Sequence, residues 1–150
     1  MILDKIENEI IAKLKPLKLF KGFQIEPYPI EFKKFAFTSA KGCILVKYNG
    51  SDYTKPQTLN VVTQDETLEY AVFLGLRYLK NYRDAYPYIE EIKKNLTGMK
   101  IYGKKLYPHT REFVERINGD VFWGYVFRIT LPTQEVIDND DDKNIIPLWS

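Results

Sequence analysis

The segment Val121-Phe122-Trp123-Gly124-Tyr125-Val126-Phe127-Arg128-Ile129-Thr130-Leu131 alternates more strictly than any other part of the chain. Val121, Trp123, Tyr125, Phe127, Ile129 and Leu131 fall on one side of an extended backbone, and Phe122, Gly124, Val126, Arg128 and Thr130 on the other. A period of two carried by aromatic and β-branched residues is the pattern of a strand, and its first face is expected in the core. The same period recurs in Leu68, Tyr70, Val72, Leu74 and Leu76, which alternate with Glu69, Ala71, Phe73, Gly75 and Arg77. Gly42 to Tyr48 is almost wholly apolar and is followed by Asn49-Gly50, a strong two-residue turn signal, so a buried strand is expected to end there. Leu59 to Thr63 adds a short strand.

Two helices flank these strands. Leu3, Ile6, Ile10, Leu14 and Leu17 recur at spacings of three and four, which predicts an amphipathic helix over about 4–15, with Asp4 at its start and Pro16 as its stop. Ile89, Ile92 and Leu96 mark a second over about 85–97, with Asp84 as the expected cap, Pro87 in the first turn and Gly98 at the exit. Pro27 and Pro29 restrict residues 20–28 to an extended edge or loop. A basic turn surrounds Gly103-Lys104-Lys105, and Arg111 to Ile117 fits a strand or a short helix equally. The expected fold is α/β in the α+β sense: one domain, a mainly antiparallel central sheet, two or three flanking helices. Residues 1–131 carry that domain. Residues 132–150 hold an acidic run, Asp138 to Asp142, and the apolar tail Ile145-Ile146-Pro147-Leu148-Trp149.

A chain of 150 residues has the length of one core. With 45% hydrophobic and 15% aromatic residues it has enough apolar material to fold. Its 22 Lys and Arg nearly balance 20 Asp and Glu, so charge alone does not define a polyanion-binding protein. One cysteine, Cys43, forms no internal bridge, and no uncharged run approaches the ~20 residues of a membrane span; a cytoplasmic protein with no membrane partner is expected.

The residue types that do chemistry are sparse. The eight glycines are scattered singly, without a phosphate-binding loop. His109 is the single histidine, and neither a metal site nor a nucleophile–base pair is built around it in the sequence. Cys43 sits in an apolar strand, where a thiol behaves as a small hydrophobe. Asp138, Asp140 and Asp142 imitate half of a calcium loop, but Lys143 replaces its glycine and Trp149 its bidentate Glu. Glu90-Glu91 lies among Lys93 and Lys94, as on an exposed helix face. No catalytic residue, cofactor or metal is therefore expected, and the chain is read as a non-enzyme. Lysines interleaved with Phe20, Phe23 and Tyr102 are read as solubilising an aromatic-rich domain, so nucleic acid is not the expected partner.

The succession of an N-terminal amphipathic helix, Gly-Cys-Ile-Leu-Val-Lys-Tyr-Asn-Gly-Ser (42–51), Tyr-Ala-Val-Phe-Leu-Gly-Leu-Arg (70–77) and Tyr-Pro-Tyr-Ile-Glu-Glu-Ile with Leu-Thr-Gly (86–98) resembles the tail terminator family of Mu-like contractile-tailed phages and related contractile injection systems. The resemblance covers residues 1–131. It implies a structural virion protein that caps the end of a tail tube, stops its polymerisation and joins it to the sheath or head connector. It further implies a homohexamer assembled in the host cytoplasm. Contacts with a neighbouring subunit or the tube are expected from apolar side chains outside the core: Tyr53 near the Asn49–Pro56 hairpin tip, and Ile145, Leu148 and Trp149 of the tail. The tail has a second reading, in which it closes its own sheet. The rival functions are a single-stranded nucleic-acid-binding module and a small enzyme.

Overall fold

The computed structural model describes residues 2–30, 41–53, 61–77, 79–117, 120–136 and 145–147; for Tyr53 and for residues 61–64, 110–122 and 132–147 this description is of the backbone alone. The chain is a single-domain α+β protein. Its elements in order are α1 (Ile2–Leu14), β1 (Gln24–Pro27), β2 (Gly42–Tyr53), β3 (Val61–Leu76), α2 (Tyr86–Leu96), β4 (Lys100–Ile101), β5 (Lys104–Lys105), β6 (Tyr107–Ile117), β7 (Asp120–Val136) and β8 (Ile145–Pro147). Short 3-10 turns at Lys18–Phe20 and Tyr82–Ala85 precede β1 and α2.

The main sheet runs β1-β2-β3-β7-β6, with β8 also paired to β7, and β4 and β5 form a separate two-stranded sheet. All its pairings are antiparallel except the parallel β1 and β2. At its centre β3 and β7 pair without a register shift from Val61↔Val136 to Leu76↔Val121. That register sets Leu68, Tyr70 and Val72 directly opposite Ile129, Phe127 and Tyr125, so both apolar sets share one face, and all six are buried. Ile44 and Val46 of β2 continue that face, opposite Leu74 and Val72. Onto it pack Ile6, Ile10, Ile11 and Leu14 of α1 and Ile89, Ile92 and Leu96 of α2, forming one buried cluster with the strands.

The helices lie within a residue or two of their predicted bounds, but their starts differ. Asp4 is inside the first turn of α1. Asp84 does not cap α2: it belongs to the preceding 3-10 turn, whose cap is Asn81, accepting from the Arg83 amide at 3.0 Å. Ala85 occupies the α2 cap position in helical conformation with no side-chain bond. The turn runs straight into the helix, so its carbonyls serve the amides a capping side chain would otherwise serve.

Three strands differ from expectation. Asn49-Gly50 does not end β2: the strand continues to Tyr53, and the register against β3 shifts between Tyr48 and Gly50. Gly50 has φ 116°, so the positive φ that favours glycine in a hairpin turn is used here by a bulge. The strands expected at 59–63 and 68–77 are parts of one, Val61–Leu76, because polar Gln64 to Thr67 continue the ladder with β7; residues 59 and 60 lie outside the described residues. Pro132 lies inside β7, between Arg128, where pairing with β6 stops, and Thr133, where pairing with β8 begins. A missing N–H costs least in that gap. The ambiguous Arg111–Ile117 is strand, and β1 is the edge that Pro27 foretold.

Gly42 is demanded by a close approach. A Cβ there would stand 2.5 Å from the Gly75 carbonyl oxygen and 2.7 Å from the Phe23 ring. Because one of those contacts is backbone of the partner strand, Gly42→Ala is expected to cost ~1–3 kcal/mol. Urea unfolding that left the midpoint unchanged would disprove this account of the β2–β3 spacing.

Candidate functional site

On β3 the buried helix-side stripe gives way at Glu66, half-buried opposite the buried Leu131 and one step beyond Leu68 on the same face, and Asp65 is exposed. The β3–β7 ladder nevertheless continues to Val61 and Val136. At ~3.4 Å per residue it is ~50 Å long, whereas α1, the longer helix, spans only ~20 Å. The ladder therefore runs beyond Leu68 and Leu131, the last buried residues described at this end. Tyr53, the last residue of β2, pairs with Glu66 at this end, and Ile145 pairs with Glu135 through β8. The two sequence candidates within the description thus come to the same end of the sheet. Leu148 and Trp149, with the acidic run 138–142, lie outside the described residues. The backbone of the tail pairs along the edge of β7 that β6 leaves uncovered, in keeping with the reading that it folds back on its own sheet.

On the sheet face away from the helices, polar pairs cross the strands behind the last buried rows. The hydroxyls of Thr67 and Thr130 hydrogen-bond at 2.9 Å. Directly cross-strand, Arg128 donates from Nε to Glu69 at 2.7 Å and forms an ion pair with it, while Asp52 lies 3.8 Å from the same guanidinium. Further along, the Lys47 ammonium stands 4.8 Å from the centre of the Tyr28 ring and 5.9 Å from that of Phe73. Such groups fix a strand register and present charge and aromatic surface together.

A second polar cluster docks α1. The Tyr70 hydroxyl donates to the Leu3 carbonyl at 2.9 Å, Tyr48 and Ser51 share a hydroxyl contact beside it, and the Glu7 carboxylate accepts from the Tyr48 amide. Burial, and next the Glu7 charge, push the Tyr70 hydroxyl well above its ordinary range, so it remains a donor. Glu7 is also raised, chiefly by burial, against the lowering effect of the Tyr48 amide and with a smaller push from Asp4.

The nucleophile and base weighed from sequence are far apart. Cys43 is fully buried in β2, and His109 is exposed on β6, three strands away. Three strand spacings alone separate them by ~14 Å. Of the helix carboxylates, Glu91 is engaged by Asn95, whose amide donates to it at 3.1 Å. Sequence reasoning overlooked Tyr82 and Tyr86, which are about half exposed before and at the start of α2, Tyr82 lying edge-on to Trp123. Their signal was that both fall off the stripe of Ile89, Ile92 and Leu96.

These features define an α+β protein with helices gathered on one face of a sheet whose central ladder is longer than either helix. The chain belongs to the Gp37 protein family, whose model matches residues 10–148, and it is accordingly a phage-related protein. No curated protein matches it. Among the described residues no helix is long and apolar enough to cross a membrane.

The raised Glu7 pKa has a testable sign. The folded state holds this proton more tightly than the unfolded chain, so stability is fullest below the ordinary carboxylate pKa and falls as pH rises through the folded value. Glu7→Gln is therefore expected to melt with the parent at about pH 3.5 and above it at about pH 7. A temperature difference that does not grow with pH would refute the assignment.

Proposed function

We propose that this chain is a structural protein of a phage-like particle and, more closely, the tail terminator of a contractile tail. It assembles as a closed ring on the end of the tail tube and stops its polymerisation. Membership of a phage-related family supports the broader part. The observation that carries the finer part is the sheet end formed by Tyr53, β3, β7 and β8, a backbone ladder that continues beyond the last described core residues, Leu68 and Leu131, and so offers pairing surface.

The sheet also has two unlike edges. Among the described strands β1 pairs only with β2 and β6 only with β7. A subunit with two different edges suits heterologous contacts, which form a ring when the rotation closes. The parallel β1 edge is short and ends in Pro27, while β6 is broken by two register shifts, devices that limit open-ended strand addition. Six copies follow from the resemblance, and the tube and the sheath or head connector are the partners proposed.

The protein is expected to scatter light with a mass six times the 17.7 kDa chain, and to shorten tubes when added to polymerising tube protein. Deleting residues 145–150 is expected to leave a folded chain by circular dichroism, since β8 contributes three residues to an edge, and to dissociate the ring if the tail bridges subunits. A parent protein that stays monomeric at every concentration and leaves tube length unchanged would rule out the terminator reading.

A further inference from the structure

From Ile92 to Arg111 the chain contains no acidic residue, yet it carries Lys93, Lys94, Lys100, Lys104 and Lys105. Folding gathers these lysines instead of dispersing them. The β4–β5 hairpin turns through Tyr102 and Gly103, both at positive φ (52° and 76°), the two-residue geometry that suits tightly twisted strands. Its base is tied to the end of α2, the Gly98 amide donating to the Leu106 carbonyl at 2.7 Å and the Leu106 amide to the Met99 carbonyl at 2.9 Å. All five lysines are exposed, and none is ion-paired with another described residue. Lys100 and Lys105 are direct cross-strand partners, an arrangement of like charges that opposes pairing unless an anion lies between them.

We propose that this hairpin and the last turn of α2 form a contact site for the phosphate backbone of duplex DNA. Three observations select this partner. Lysine is depleted in the cores of protein–protein interfaces, which are apolar, whereas protein–DNA interfaces are polar and strongly positive. Ile101, the apolar residue within the hairpin strands, is buried, and Tyr102 packs against the core, so the hairpin offers neither an apolar anchor nor a free ring on which unpaired bases would stack. The cluster is built of lysine without arginine, giving point charges that suit a repeating backbone more than bidentate reading of bases. The sequence reading took the lysines as solubilising an aromatic-rich domain; the fold sets Lys100, Lys104 and Lys105 on one hairpin tied to the end of α2. This site stands whether or not the chain caps a tube.

The test is fluorescence anisotropy of a labelled duplex with the full chain across a salt series. Binding is expected to weaken steeply with salt. Lys100→Gln, Lys104→Gln and Lys105→Gln together should lower affinity at least tenfold at low salt and flatten the slope of log K against log salt by roughly 2–3. The variant's mass and melting temperature should equal the parent's. Removing the same charge from α1 and the turn after it, at Lys5, Lys13 and Lys15, should change affinity less than twofold. Absence of binding at low salt, equal loss in the α1 variant, or displacement by polyglutamate as effective as by DNA would overturn the proposal, the last in favour of an acidic protein.

Discussion

The register between β3 and β7 is the constraint from which the other features follow. A slip by one residue would carry Leu68, Tyr70, Val72 and Leu74 to the opposite face, and with them a central part of the surface on which α1 and α2 bury their apolar stripes. The register is held from both faces: on one by direct packing of Tyr70 against Phe127 and Leu68 against Ile129, on the other by Thr67 with Thr130 and Glu69 with Arg128. Beyond these pairs the backbone ladder continues to Val61 and Val136. The same two strands thus carry the core and a ladder that runs on past its last described residues.

Much of this was legible in the chain. Alternation in residues 121–131 and 68–76 identified the central pair and the buried face, since a period of two survives any tertiary context that covers one face. The helices were marked by their stripes and by Pro16 and Gly98. What was not legible has physical reasons. Asn49-Gly50 signals a positive φ, which a turn and a bulge require alike, and only the presence of β3 beyond Tyr48 decides between them. Gln64 to Thr67 read as a break because their stabilisation comes from β7, more than sixty residues away. The Asp84 cap failed because a 3-10 turn fed the helix directly.

The candidate surface was legible in part. Tyr53 and Ile145 were chosen because they did not belong to an obvious core, and the fold brings their backbones to one end of the sheet. The length of the β3–β7 ladder was not legible, because the polar interruption at 64–67 concealed it. The lysine hairpin was not legible as a unit: its charges are ordinary one by one, and the pairing of Lys100 with Lys105 is a cross-strand relation that sequence does not display.

The central claim is that the sheet end beyond the core is where this protein meets its neighbours. Cryo-electron microscopy of the assembled protein tests it most directly. The account predicts a closed ring in which the outer parts of β3 and β7, together with β8, lie against the next subunit or the tube. A ring whose contacts run instead through the outer faces of α1 and α2, leaving that sheet end in solvent, would contradict it.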